Sequence, residues 1–128
     1  MSDPVGSIYY EYFHTRQPPK DAKGCTYLVE GIGEDHVCKA IDFNVVDRMW
    51  QFRDAQIFPL VQRLAREEGI LAGGSTGANL YAAIELAKTL KGPARIVTVA
   101  PDNGVKYLSK CYNPEWCKAN GIAVPGEK

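Results

Sequence analysis

Apolar positions recur at helical spacing in two stretches of this chain and gather into short unbroken runs elsewhere. From Asp54 to about Glu68, Ile57, Val61, Leu64 and Ala65 fall on one stripe, the period of an amphipathic helix. Asp54 offers a capping side chain at its start and Gly69 a left-handed stop at its end. Pro59 sits early in the pattern, where it costs one hydrogen bond, so the helix is expected to begin near Phe58 or to kink there. A second helix is expected from Thr76 or Gly77 to about Leu90, with Leu80, Ile84 and Ala87 facing inward and Lys91-Gly92-Pro93 ending it.

The remaining apolar runs predict strands. Thr26 to Val29 is a short β-prone run closing at the turn Gly31-Ile32-Gly33, and Val45 to Phe52 alternates imperfectly, as a strand with one buried face does. Leu71 to Gly73 predicts a brief buried strand. Arg95 to Ala100 is continuous enough for a strand buried on both faces of a parallel sheet, and Val105 to Lys110 begins a further helical turn. Ile8 to Lys23, polar and aromatic with Pro18-Pro19 inside it, is expected to be a surface excursion. Strand and helix alternate after residue 45, which predicts an α/β fold: a mostly parallel sheet with helices on both faces. Ligands of such sheets gather at the carboxyl ends of strands, so the turns at Gly31, Gly73 and Pro101 are expected to share one edge.

Composition narrows the function classes. Fifteen basic and fifteen acidic residues cancel, leaving no net field for nucleic acid or an anionic membrane. An apolar content of 45% over 128 residues suffices for one core. No apolar run approaches the roughly 20 residues that span a bilayer, and no basic-then-apolar leader opens the chain, so a cytoplasmic location is the expectation. Cys25, Cys38, Cys111 and Cys117 are too irregularly spaced for a metal-binding pair, and His14 and His36 share no ligand pattern with them. Reduced thiols and no metal are expected.

The candidate chemistry lies in Gly69-Ile70-Leu71-Ala72-Gly73-Gly74-Ser75-Thr76-Gly77-Ala78, where an apolar stub breaks into a glycine-rich turn that feeds a helix. Such a turn sets a hydroxyl and free N–H groups at a helix N-terminus, suited to a ring or an anion, although many such turns only let two elements pack closely. Thr26-Tyr27-Leu28-Val29-Glu30-Gly31-Ile32-Gly33-Glu34-Asp35 precedes it, and the run from Ile96 through Pro101-Asp102-Asn103-Gly104 to Lys110 follows. With Asp3-Pro4-Val5-Gly6-Ser7-Ile8 and Asn113-Pro114-Glu115-Trp116, these motifs in this order resemble the cystathionine β-synthase and cysteine synthase family of fold-type II pyridoxal-phosphate enzymes, from about Asp3 to Ile122.

The resemblance implies that residues 1–128 form a single partial domain, the C-terminal portion of such a catalytic core, with a polar tail at 123–128. It implies β-replacement through an aminoacrylate, condensing serine or an activated serine with homocysteine or sulfide. The wording of the motifs is closer to cystathionine β-synthase, with cysteine synthase as the alternative and a non-catalytic interaction module as a further one. The cofactor implied is pyridoxal phosphate, held through Ser75 at the ring nitrogen and by Gly74, Pro101 and Asp102. Gly31, Ile32 and Gly33 would border the amino-acid substrate. No residue here matches the family's cofactor-bearing lysine or its phosphate loop, so no catalytic residue is assigned. The expected partners are the amino acid, the thiol, and the missing N-terminal half or a second copy in a homo-oligomer.

Each assignment has a purely structural counterpart. Ser75 is equally suited to capping the following helix, Gly31-Ile32-Gly33 to a plain turn, and Asp102 to capping the next helical turn. Glu34 and Asp35 are expected to be solvated. Trp50, Tyr107 and Trp116 are expected to be core or interface aromatics rather than stacking platforms.

Overall fold

The computed structural model describes residues 1–19 and 26–126. Its regular elements are β1 (Ser2–Pro4), α1 (Tyr9–Thr15), β2 (Trp50–Phe52), α2 (Asp54–Glu68), α3 (Gly74–Lys88) and α4 (Pro114–Ala119), with 3-10 turns at Phe43–Val45 and Gly104–Tyr107. β1 and β2 pair in parallel, with Ser2 opposite Trp50 and Pro4 opposite Phe52. α3 packs against them, and α2 packs on α3.

The mostly parallel sheet with helices on both faces is not what the chain forms. Helix predominates, and the only sheet among the described residues has two strands. A strand needs a neighbour to satisfy its N–H and C=O groups, and the predicted runs lack one. Arg95 to Ala100 has no strand pairing and is exposed throughout, with Val97 86% and Val99 64% accessible. Thr26 to Val29 forms no strand either. The N–H groups of Leu28 and Val29 donate instead to the Asp54 carboxylate at 2.8 and 3.1 Å. Leu71 to Gly73 contributes only an isolated antiparallel bridge, Ala72 to Asn103, and of Val45 to Phe52 only the last three residues are strand.

The helices follow the apolar stripes more closely. α2 begins at Asp54 and runs through Pro59 to Glu68, with Ile57, Phe58 and Val61 buried. The residue before it, Arg53, takes the N-cap position and donates its N–H to Gln56 Oε1 at 2.8 Å, so Asp54 is the first helical residue and its carboxylate reaches across to residues 28 and 29. Gly69 ends α2 at φ 70°, the left-handed conformation that favours glycine. α3 starts at Gly74, two or three residues earlier than the predicted Thr76 or Gly77. Its buried residues are Gly74, Thr76, Gly77 and Ala78, while Ile84 and Ala87, expected inside, are exposed. The stretch predicted as a surface excursion contains α1. Asp3 Oδ2 accepts the Tyr10 N–H at 2.8 Å, and Tyr9 packs with Ile8, Phe43 and Met49 in a small second core.

The principal core joins Val29, Phe52, Ile57, Phe58, Val61, Ala72, Ala78, Cys111, Cys117 and Ile122. Val124, from the predicted polar tail, packs against it. Cys111 and Cys117 are buried and not joined in a disulfide, and burial pushes the Cys111 thiol up to about 11. Cys38 is a partly exposed free thiol, and Cys25 lies outside the described residues.

Candidate functional site

The glycine-rich turn owes its shape to three close approaches. A Cβ on Gly73 would stand 2.2 Å from Asp102 Oδ1, one on Gly74 2.8 Å from the Phe58 ring, and one on Gly77 2.4 Å from the Ile57 carbonyl oxygen. Glycine at 74 and 77 lets α3 lie directly on α2. Glycine at 73 lets the segment carrying Asp102 lie directly on the start of α3. The bare Cα of Gly74, a predicted cofactor contact, therefore faces Phe58 and Val29.

Leu71 to Gly73 is gripped from two sides. The Gly73 N–H donates to the Asp102 carbonyl at 3.2 Å, and the Gly104 N–H donates to the Leu71 carbonyl at 3.1 Å. On the other side the Tyr112 hydroxyl donates to the Ala72 carbonyl at 2.6 Å and accepts the Ala72 N–H at 3.2 Å. One phenol thus stands in for a neighbouring strand.

These contacts set Ser75 in the first turn of α3, half-buried. The N-cap is Gly73, so Ser75 does not cap the helix, and among the described residues its hydroxyl has no hydrogen-bond partner. Asp102 does not cap the following turn. Asn103 does, its Oδ1 accepting the Val105 N–H at 2.8 Å. The Asp102 carboxylate turns back instead: Oδ2 accepts the Tyr107 hydroxyl at 2.7 Å, and Oδ1 is buried without a partner among the described residues. This carboxylate and its desolvation hold the Tyr107 phenol up at about 12. Pro101 is exposed beside it.

The segment leading into the Gly31-Ile32-Gly33 turn touches this region, while the turn itself lines a cavity that takes in neither Ser75 nor Asp102. Val29 reaches Gly74, and Glu30 pairs with Lys110. Gly31 and Gly33 adopt φ 74° and 87°. Around Gly31 nothing lies within 4 Å of a Cβ position, whereas Gly33 presses on Pro4 and Tyr27. All three residues line a cavity of about 340 Å³ that also takes in Asp3, Tyr9 and Cys38. Glu34, Asp35 and His36 bring ligand-type atoms within 4.8 Å of one another. His36 Nδ1 lies 2.8 Å from Asp35, which raises the imidazole pKa and lowers that of the carboxyl at this exposed corner.

Tyr107 and Tyr112 were not legible as site residues. Neither falls on a periodic stripe, and their partners lie in turns that acquire neighbours only through tertiary contact. The Asp102 to Tyr107 spacing is a signal in retrospect only.

A half-buried serine whose hydroxyl has no partner among the described residues thus stands at a glycine-led helix start, beside a turn bearing a buried carboxylate. Residues 2–102 match the family model of pyridoxal-phosphate dependent enzymes, and the chain belongs to that family. A cystathionine beta-synthase of Apis mellifera is 35% identical over 125 residues, covering 96% of this chain and 23% of that protein. An O-acetylserine dependent cystathionine beta-synthase of Bacillus subtilis is 42% identical over 108 residues, covering 84% and 32%. The chain thus spans about a quarter to a third of the length of these relatives. A solved O-ureido-L-serine synthase superposes with a TM-score of 0.71 over 85% of this chain and 32% of that one, at 24% identity, a likeness of fold.

Among the described residues no helix is long and apolar enough to cross a membrane.

Proposed function

We propose that this chain supplies the ring-nitrogen side of a pyridoxal-phosphate site in a β-replacement enzyme of the cystathionine β-synthase type, which exchanges the leaving group of serine or activated serine for a thiol. The observation that carries the reading is the Ser75 hydroxyl, half-buried at the start of α3 and without a partner among the described residues, with Asp102 against Gly73. What fits the edge of the cofactor ring is a neutral hydroxyl and the first-turn N–H groups; the bare faces of the glycines are taken up by Asp102, Phe58 and Ile57. Ser75, Gly74, Pro101 and Asp102 would hold that edge, and Gly31, Ile32 and Gly33 would border the amino acid. When bound, pyridoxal phosphate supplies the electron sink. The Ser75 hydroxyl offers the ring nitrogen a neutral hydrogen bond, where a carboxylate would hold a proton on it. The thiol acceptor is homocysteine or sulfide.

Ser75→Asp in the cofactor-loaded protein is expected to lower β-replacement by orders of magnitude, each tenfold being about 1.4 kcal/mol. Ser75→Ala removes one neutral hydrogen bond, about 0.5–1.5 kcal/mol, and is expected to be milder. Steady-state rates of thioether formation decide. Full turnover by Ser75→Asp would remove Ser75 from the ring nitrogen.

A further inference from the structure

α3 begins on a glycine N-cap, so no capping oxygen hangs from its own chain. The space a side chain at 73 would take is filled from about thirty residues away in sequence, by Asp102 Oδ1, which accepts no hydrogen bond among the described residues, and by the Tyr107 ring, whose Cε2 lies 2.6 Å from where a Gly73 Cβ would be. A carboxylate near a helix N-terminus is favoured by the macrodipole even without a hydrogen bond to the first turn. Asp102 can turn about its own χ angles, however, and needs a second hold to keep Oδ1 there. Lys106 Nζ, 3.8 Å from Oδ2, is exposed and weakly coupled. The Tyr107 hydroxyl, at 2.7 Å, is the partly buried contact.

We infer that Tyr107 is a positioning residue, whose phenol O–H orients the Asp102 carboxylate against Gly73 and thereby fixes the first turn of α3 and the Ser75 hydroxyl. The geometry stands on its own, while the consequence for the cofactor rests on the Ser75 reading above. Tyr107→Phe isolates the point, because phenylalanine keeps the ring on Gly73 and removes only the O–H.

Hydrogen–deuterium exchange of the unloaded chain tests the geometry. Residues 71–76 are expected to exchange roughly two- to tenfold faster in Tyr107→Phe, as loss of one hydrogen bond implies, with α2 unchanged. Asp102→Asn should do the same, and the double variant should add nothing to either single one. Unchanged exchange at 71–76 in Tyr107→Phe overturns the inference. If that variant loses protection in α2 as well, Asp102→Asn decides by the same criterion.

In the cofactor-loaded protein, Tyr107→Phe is expected to move the visible band of bound pyridoxal phosphate in the direction that Ser75→Ala moves it, and to lower kcat more than it changes KM. Faster exchange with neither Ser75→Ala nor Tyr107→Phe moving the band would uphold the positioning and refute the Ser75 reading. A band that responds to Ser75→Ala, with exchange unchanged in Tyr107→Phe, would do the reverse.

Discussion

Ala72 is 1% exposed, and both of its backbone polar groups depend on one side chain, the Tyr112 hydroxyl. Tyr112→Phe keeps the ring and leaves a buried N–H and C=O unpaired, so it is expected to cost about 1–3 kcal/mol, read from the midpoint of urea unfolding at unchanged slope. Asp3 gives a pH-dependent counterpart. Burial raises its carboxyl above the ordinary 3.8, so between that value and the raised one the folded chain binds more protons than the unfolded chain and stability falls as pH rises. Asparagine can still accept the Tyr10 N–H but does not titrate. The stability of Asp3→Asn relative to the parent is therefore expected to grow as pH climbs through that window and then to level off. Paired denaturation curves from below pH 3.8 to neutrality check this, and a gap that shrinks with pH would contradict it. Residue chemistry was legible where it depended on residue type alone, as with Gly69, whose left-handed φ of 70° ends α2. It was hidden where it depended on which turn meets which: Asp102 was readable as a cap, yet Asn103 sits one residue closer to the turn and takes the N–H, freeing the carboxylate for Tyr107.

At the scale of elements, α2 and α3 show two different uses of glycine. Gly77 is needed for proximity, since its Cβ would stand 2.4 Å from a backbone oxygen that cannot swing away. Gly69 is needed for conformation, at φ 70° with open space around it. Gly77→Ala is expected to force the helices apart at a cost of about 1–3 kcal/mol or more. Gly69→Ala is expected to cost about 1 kcal/mol through strain alone. Thermal and urea unfolding of the two variants should rank them in that order, and the reverse order would mean that α3 can slide on α2 freely. The α2 stripe was readable because Ile57 and Val61 repeat at helical period on a face that the core covers. The α3 stripe misled. Its burial is concentrated in the small residues of the first two turns, whereas Ile84 and Ala87 at the far end meet solvent.

For the whole molecule, the consequence of a two-stranded sheet is an exposed apolar run. Val97 and Val99 are accessible, as is Val45 at 76%, and among the described residues the hydrogen bond that holds the segment is Asn79 Nδ2 donating to the Val99 carbonyl at 2.8 Å. Balanced charge supplies little repulsion between copies. The isolated chain is expected to self-associate, and Val97→Lys with Val99→Lys to weaken that association by placing charge on an open edge. Sedimentation of both forms, with hydrogen exchange on residues 95–100, reads the outcome. A compact parent monomer with strong protection there would show that this segment is satisfied within one chain and would favour an independent interaction module.

Two things followed from the order of residues: where the two long helices run and where a glycine-rich turn feeds the second of them. Both depend on local spacing, since a 3.6-residue period and a left-handed glycine act within a few residues of themselves. The motif order also placed the chain in its family, because chemistry at a shared site restricts residue type at matched positions. Strand formation was not decided locally. Thr26 to Val29 and Arg95 to Ala100 have the composition of strands, but a ladder exists only if a second backbone lies alongside, and here the Asp54 carboxylate serves the first run while no strand pairs with the second. Likewise the grip of Tyr107 and Tyr112 on the start of α3 joins segments about 30 to 40 residues apart, a pairing set by how the elements pack rather than by either segment's pattern.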